Sequence, residues 1–597
     1  MLKGKTFGVI LAVGFVVGGT GFAQTLGENW NDFLHYTLIG RFDMAEGFAQ
    51  AILASSPDPV ELLALSDENP RGYGLLLKAT ENKHQPRLAE LSAKLLEVIE
   101  EGRFIRRSDP KVIVEEIKRL TGTERGKRTG IKRLKNAGEY AIPFMLDAIA
   151  DPERKREWPN VIEAMPQIGR PAIRPLVAAL QTDNTEVKAE IIKALGEIRY
   201  PQSLAYLKYV IEKDDSAQLR ELAQRSISQI DPAALRTSAA ELFYRLGEDY
   251  YYHAESLAAA EDAEFANVWF WDSGARRPVA ERVDKSYFNE LMAMRVCEWA
   301  LKADPAFGQA IGLWLAAYFK AESSNVKMPN YFGQAHADAF VYATTAGPEY
   351  LHQALARAVK DKNAYVALGV IEALAINAGE RSLLYRLGTT QPLVEALSFD
   401  DRAVRYSAAI AMGAAGPKET FAESKLVVQN LAEALGQTSG GASQTSDPWN
   451  EQLADSYAVR AAQVMLKLAQ TRNPVVDISA AQSTLISATK DKRVEIQILA
   501  GQILAYINSA TAQRSIAAMA LAEANTMDVR IKAFESLAVS AKVNANLLDG
   551  DRVDAIYSLV GSLEADPQLR SAAAAAYGAL NLPSQKVKDL ILDQARS

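Results

Sequence analysis

Residue types that commonly perform catalysis occur in this chain of 597 residues, but their spacing predicts no catalytic, metal or cofactor site. No zinc-binding H-E-x-x-H is formed by the five histidines, which lie at positions 35, 84, 253, 336 and 352. His336 and Asp338 supply half of a metal site, and we interpret them as a surface pair. There is no G-x-S-x-G, and nothing places two carboxylates in one cleft. We therefore expect a non-enzymatic protein.

Two further motifs lead to the same expectation. The stretch "GTERGKRT" at 122–129 resembles a phosphate-binding loop, but only three residues separate Gly122 from Gly126, and Arg128 replaces the magnesium-binding Ser or Thr. The single cysteine, Cys297, excludes an internal disulfide and a cysteine-based metal cage. Because Cys297 occupies a small core position, we interpret it as buried packing rather than as a reactive thiol.

The stretch "NVWFWDSGARRP" at 267–278 interrupts an otherwise helical pattern. Aromatic and β-branched residues favour a strand, and the following Asp-Ser-Gly favours a turn, which together predict a small inserted loop or β-hairpin. Strand alternation would place Trp269 and Trp271 on one face and Phe270 on the other. Two interpretations stay open: the tryptophans fill a seam between two repeat types, or they form a contact site with Arg276 and Arg277. These four residues are our candidate partner-binding residues.

A basic segment lies at 103–135, where twelve Lys and Arg against four acids give +8 in a chain of net charge −7. The only aromatic residue of this segment is Phe104, so stacking on nucleic-acid bases is not indicated. Two interpretations stay open here also: a solvated helical face, or a patch that contacts an anionic surface such as lipid head groups, glycans or an acidic protein.

The N-terminus has the order of a secretory signal peptide. Lys3 and Lys5 precede an apolar run of 14 residues, and Gly21 and Ala23 form a small-residue cleavage site. A membrane span needs about 20 apolar residues, so we expect cleavage rather than an anchor. The mature chain would begin at Gln24 and be exported, either periplasmic or extracellular, with no membrane-spanning segment.

One helical spacing recurs in three distant segments. Val187, Ala194 and Gly196 have the same offsets as Val404, Ala411 and Gly413 and as Leu569, Ala576 and Gly578. In the first segment, Asp183 or Asn184 can cap the helix start and Gly196 can end the helix. Weaker copies begin near residues 219, 366, 459, 494 and 529.

This pattern resembles HEAT repeats, including the short variety named after phycobilisome lyases. The resemblance covers roughly residues 125–235 and 350–597 and implies an α-solenoid with a curved binding surface. Val494 departs from the pattern, because the residues after it fit better with a register shift of two. Bilin-lyase-like activity, which such a resemblance could also imply, would need residues that we cannot identify in this chain.

The middle of the chain resembles tetratricopeptide repeats. "LFYRLGEDYYYHAE" and "AMRVCEWALKADP" match a first and a second repeat helix, and "IGLWLAAYF" matches another first helix. A shorter match begins at Tyr36. About 30 residues separate the first two helices, where paired helices normally have a short turn, so the aromatic stretch lies in an insertion.

These observations predict an all-α protein, an α-solenoid of HEAT-like and tetratricopeptide-like helical hairpins. The predicted divisions are a signal peptide, a tetratricopeptide-like region, HEAT-like repeats, a tetratricopeptide-like region with an aromatic insertion at 260–285, and HEAT-like repeats with a flexible loop at 436–450. Their bounds are 1–23, 24–124, 125–235, 236–335 and 336–597. We expect a scaffold or adaptor that binds other proteins and no nucleic acid. The alternative is a glycan- or peptidoglycan-associated accessory protein that uses the aromatic loop.

Overall fold

The computed structural model describes residues 24–259, 265–333, 336–437 and 451–582, with 585, 587–589 and 591–592 near the C-terminus. The expected signal peptide, including Ala23, and all but the first two residues of the expected loop at 436–450 lie outside these residues. The chain divides into two compact units. Unit 1 is Met1–Ser203 with Trp269–Ala280, and unit 2 is Leu204–Val268 with Glu281–Ser597.

Unit 1 is built from helices that pack on their neighbours along the chain. They are α1 (Leu26–Leu38), α2 (Phe42–Ala54), α3 (Pro59–Glu68), α4 (Pro70–Thr80), α5 (Pro86–Ser108), α6 (Pro110–Arg119), α7 (Glu124–Ala137), α8 (Ala141–Ala150), α9 (Trp158–Ala164), α10 (Ile173–Ala179) and α11 (Thr185–Ile198). Short 3-10 turns lie at Gly138–Tyr140, Pro152–Arg154, Pro166–Ile168, Arg170–Ala172 and Pro201–Ser203.

Unit 2 continues the same pattern. Its helices are α12 (Leu204–Lys213), α13 (Ala217–Ile230), α14 (Ala239–Tyr251), α15 (Phe288–Ala303), α16 (Gln309–Glu322), α17 (Asn330–Gly333), α18 (Ala339–Thr345), α19 (Pro348–Lys360), α20 (Ala364–Asn377), α21 (Glu380–Leu383), α22 (Pro392–Ala396), α23 (Arg402–Ala415), α24 (Ser424–Leu435), α25 (Glu451–Thr471), α26 (Gln482–Ala488), α27 (Val494–Leu504), α28 (Ala510–Leu521), α29 (Met527–Asn544), α30 (Gly550–Gly561) and α31 (Pro567–Ala579). Short 3-10 turns lie at Pro232–Arg236, Glu255–Leu257, Lys285–Tyr287 and Ile478–Ala481.

Between α14 and α15 the chain forms a two-stranded sheet of β1 (Phe265–Asp272) and β2 (Arg277–Asp284). The predicted fold class, an all-α helical repeat protein with a small inserted hairpin, is therefore confirmed. Within the described residues, no helix has the length and apolarity that crossing a membrane requires.

The residues that begin each repeated spacing are buried. Val187, Val404 and Leu569 are each at most 4 % exposed and lie in the first turn of α11, α23 and α31. Before each of them, the side chain of Asn184, Asp401 or Asp566 accepts hydrogen bonds from first-turn N–H groups. A polar cap followed by a buried aliphatic residue satisfies the free helix donors and fixes the helix on its neighbours.

One detail of the repeats differs from the prediction, and another agrees with it. Gly196 does not end α11, which continues to Ile198 and closes at Arg199 in the left-handed conformation. The Arg199 N–H reaches the Leu195 carbonyl there, so the helix end needs no glycine. In α27, Val494 is 39 % exposed while Ile496 is fully buried, which agrees with the expected register shift of two.

The regions that resemble tetratricopeptide repeats also form packed helices. In unit 2, α14 packs against α15, and α15 packs against α16. A Cβ at Gly247 would lie 3.0 Å from Leu313 Cδ2 and 3.4 Å from Cys297 Sγ, so glycine permits the close approach. Cys297 is fully buried, and burial raises the pKa of its thiol. The tetratricopeptide interpretation and the predicted division bounds stay predictions.

Candidate functional site

The turn of the inserted hairpin is held by one side chain. Asp272 Oδ1 accepts the N–H groups of Gly274 and Ala275 at 2.8 and 3.0 Å, which closes the loop between β1 and β2. An aspartate that bonds to the backbone two and three residues ahead stabilises a turn locally. Arg276 follows with a φ of 52°, in the left-handed region that a non-glycine residue adopts at a cost.

Trp269 packs the outer part of the hairpin, Trp269–Ala280, within unit 1. Its side chain is 5 % exposed, and its indole N–H donates to Glu139 Oε2 at 2.8 Å. The indole also meets the edge of the Tyr140 ring, with centroids 6.3 Å apart. A buried tryptophan with a satisfied N–H contributes both apolar contact and directional bonding, so Trp269 fixes where the strand lies.

Trp271 and Phe270 differ from the expectation of strict alternation. Residues 266–269 are all buried, so both faces of β1 are covered there. Beyond this point Phe270 and Trp271 are both half-buried, because the strand is leaving the covered zone rather than alternating between a core and solvent. Within the described residues, no ring contact or hydrogen bond joins the Trp271 indole to another side chain. Trp269 and Trp271 are therefore in different environments.

Arg276 and Arg277 also have different surroundings. The Arg277 guanidinium pairs with Asp147 Oδ2 at 3.4 Å and lies over the Phe144 ring, 4.8 Å from its centroid. Burial raises the pKa of Asp147, and the charge of Arg277 acts in the opposite direction. Arg276 is exposed at the turn and forms no ion pair with any residue that the structure describes. Of the four predicted binding residues, Arg276 is the one that is exposed.

The basic segment occupies the end of α5, α6 and α7. Several of its cations form ion pairs with acidic residues, which a count of charges along the sequence could not show. Arg106 meets Asp67 at 3.3 Å, and Lys127 meets Glu163 at 2.7 Å. The buried carboxylate of Glu116 meets Arg133 at 2.6 Å. The remaining exposed cations lie mainly on α7.

Sequence reasoning missed a polar cluster in unit 2. Glu290 is buried, and its Oε1 lies 2.5 Å from His253 Nε2 and 3.1 Å from Lys320 Nζ. Burial raises the pKa of Glu290, but the His253 hydrogen bond and the Lys320 charge outweigh it and hold that pKa below its ordinary value. Lys320 also donates to the Tyr251 carbonyl at 2.7 Å. The cluster ties the end of α14 to α15 and α16, and no short sequence motif could have revealed it.

The remaining residues selected for chemistry have structural surroundings. His336 stacks on Phe332, with ring centroids 4.6 Å apart, and Asp338 caps α18 by accepting the Val341 N–H. Gly122 precedes α7, whose first turn is capped by Thr123. Over the ranges that the structure describes, no three His, Cys, Asp or Glu side chains are grouped so that they could hold a metal ion.

Comparison with known families supports the repeat assignment. Residues 142–228 match the sequence profile of HEAT repeats. This segment of the chain contains HEAT repeats. The match spans α8 through most of α13 and includes the segment in which Val187 and Ala194 set the repeat spacing. No curated protein sequence is significantly similar to the chain.

Several solved helical proteins resemble the chain weakly. An engineered protein is 15 % identical with a TM-score of 0.22, and the alignment covers 81 % of this chain and 96 % of that one. Importin beta is 12 % identical with a TM-score of 0.27, with coverage of 92 % and 70 %. SYS-1 is 9 % identical with a TM-score of 0.24, with coverage of 93 % and 99 %. Scores this low support no conclusion about function.

Proposed function

We propose that this HEAT-repeat protein is an exported, non-enzymatic scaffold or adaptor that binds other proteins through the tip of its inserted hairpin. HEAT-repeat folds commonly mediate protein–protein interactions, because stacked helical pairs present extended surfaces. The proposal of export rests on the sequence before Gln24, where charged, apolar and small residues follow in the order of a signal peptide.

The conformation of Arg276 carries the proposal of a binding tip. Its left-handed backbone costs about 1–2 kcal/mol relative to glycine, and such strain is concentrated at functional positions. Asp272 closes the turn from within, and the Arg277–Asp147 pair joins the hairpin to α8. A turn whose backbone is already fixed loses little conformational entropy on binding, and arginine is enriched among the residues that dominate interfaces.

The half-buried ring of Trp271 supports a second candidate function, association with a glycan or peptidoglycan. Trp269 is buried and bonded to Glu139, so Trp271 would have to make the contact with a sugar ring. Sedimentation with purified peptidoglycan distinguishes this candidate. Binding that is lost in Trp271→Ala but kept in Arg276→Gly would favour the glycan and would contradict the protein-binding tip.

Site-specific photo-crosslinking in the native cells tests the protein-binding tip. A photoreactive amino acid would replace Ser273, which is exposed in the turn, and a control protein would carry it at Ser558, which is exposed on α30. The proposal predicts a discrete crosslinked product from position 273 alone. Equal products from both positions, or none from position 273, would contradict it.

Export is tested separately by sequencing the N-terminus of the native protein. We expect the mature chain to begin at Gln24 and to be recovered from the exported fraction. A retained Met1 with the protein in the membrane fraction would refute export and would leave the binding tip to be tested by itself.

A further inference from the structure

The solvent-facing side of α7 carries a continuous row of cations. Arg125, Arg128, Lys132 and Lys135 are all exposed, and their spacing of three, four and three residues places them on one helix face. At about 1.5 Å per residue, the row is about 15 Å long. We call these four residues the α7 stripe.

The packed face of α7 shows in which direction the α7 stripe points. A Cβ at Gly130 would lie 2.9 Å from the Glu116 carbonyl oxygen and 3.5 Å from Arg119 Cβ, so this side of α7 is against α6. Leu134 and Ala137 are buried on the same side. At 100° per residue, the four stripe positions lie between about 140° and 220° from Gly130, which points them away from the body of unit 1.

The stripe is not neutralised within unit 1. None of its four side chains forms an ion pair with any residue in the described ranges, whereas Lys127 and Arg133 on the flanks of α7 are paired with Glu163 and Glu116. The acids nearest in sequence are Glu124, which is exposed in the first turn of α7, and Glu139, which accepts the Trp269 N–H. Four adjacent uncompensated cations repel one another and favour an anionic partner.

We infer that the α7 stripe contacts the head groups of an anionic lipid bilayer and holds the protein at a membrane surface without insertion. Arginine anchors of protein interfaces lie in desolvated pockets together with tryptophan and tyrosine, and the outward face of α7 offers no exposed aromatic or apolar side chain between its cations. The other residues exposed along this helix are polar, such as Asn136. A row of cations on one exposed helix face is suited to a flat anionic surface, where each Lys or Arg adds to the attraction.

This inference does not depend on the hairpin tip. The stripe and the hairpin tip consist of different residues of unit 1 that can be substituted independently, so the two proposals can fail separately. Arg276→Gly should abolish the proposed protein contact and leave vesicle binding unchanged. Loss of the stripe should do the reverse.

Vesicle sedimentation with the mature full-length chain tests the inference. The probes are vesicles of phosphatidylcholine alone and vesicles containing phosphatidylglycerol. Each cation near an anionic leaflet increases partitioning about fivefold, so Arg128→Gln with Lys132→Gln should weaken binding to the anionic vesicles about 25-fold. The matched control is Lys490→Gln with Lys492→Gln, which removes the same charge from two exposed positions of unit 2. Circular dichroism should show unchanged helix content in both variants.

We expect binding to the anionic vesicles alone, and its loss when salt rises from about 0.1 M to about 1 M, because the Debye length falls from about 10 Å to about 3 Å. The inference is overturned if wild type ignores the anionic vesicles, or if both double variants lose binding equally. Tighter binding to a poly-glutamate peptide than to the vesicles at equal salt would also overturn it and would assign the stripe to an acidic protein.

Discussion

Replacement of Trp269 by alanine should destabilise unit 1 strongly. The side chain is almost completely buried, and truncating a buried tryptophan costs about 3–5 kcal/mol through lost contacts and the cavity left behind. The substitution also removes the N–H that donates to Glu139. Trp269→Phe keeps most of the apolar contact but leaves Glu139 without that donor, which should cost about 1.5–3 kcal/mol.

Trp271→Ala is the matched control, because Trp271 lies two residues further along β1 and is only half-buried. We expect it to cost about 1 kcal/mol, within the usual range for a partly exposed position. Urea unfolding of the mature protein, followed by circular dichroism, measures the three variants against wild type. If unit 1 unfolds in a transition of its own, the shift should be confined to that transition.

The test is the order in which the three variants lose stability. Our reasoning requires Trp269→Ala to lose the most stability, Trp269→Phe an intermediate amount and Trp271→Ala the least. Equal losses for the two alanine variants would refute the conclusion that the tryptophans lie in different environments. Unchanged stability in Trp269→Ala would show that the outer part of the hairpin is not packed within unit 1 in the way we describe.

Three further substitutions test other parts of the structure. Gly413→Ala should cost about 1–3 kcal/mol in urea unfolding, because its Cβ would lie 2.6 Å from Val464 Cγ1, whereas Gly578→Ala at the equivalent repeat position meets nothing within 4 Å and should be neutral. His352 is buried with Nε2 donating to the Ser382 carbonyl at 2.7 Å, and burial lowers its pKa below the ordinary 6.5. The unfolded chain therefore binds this proton more readily, so wild type should lose stability as pH falls below about 6.5, and His352→Gln should reduce that loss; identical pH profiles would contradict the assignment. Arg276→Gly should leave stability unchanged or raise it by about 1 kcal/mol, because glycine adopts its positive φ without strain; a clear loss in thermal melts would show that the arginine side chain supports the turn.

The repeat architecture could be predicted from the sequence, because the residue patterns that indicate it are local. A capping side chain such as Asn184 and a buried residue such as Val187 lie within one helical turn, so their spacing can be read directly. The hairpin could be predicted for the same reason: its strand formers, Asp272 and Gly274 are contiguous. The register shift after Val494 was also visible as a local mismatch.

The environments of the candidate residues could not be predicted, because they depend on partners far away in the chain. The indole of Trp269 meets Glu139, which is 130 positions earlier, and Arg277 meets Asp147 at a similar separation. Neither contact leaves a periodic trace in the sequence. The basic segment shows the same limit, since a count of charges cannot reveal that Lys127 is paired with Glu163 while the α7 stripe is unpaired.

Co-purification from native cells tests the central claim, a protein-binding tip at Arg276, most directly. Tagged wild type would be compared with Arg276→Gly and with Arg472→Gly, a control that removes another exposed arginine with a positive φ, 49°, from unit 2. We predict that at least one exported protein is recovered with wild type and with Arg472→Gly and is lost with Arg276→Gly. Recovery of the same proteins with all three chains would contradict the claim.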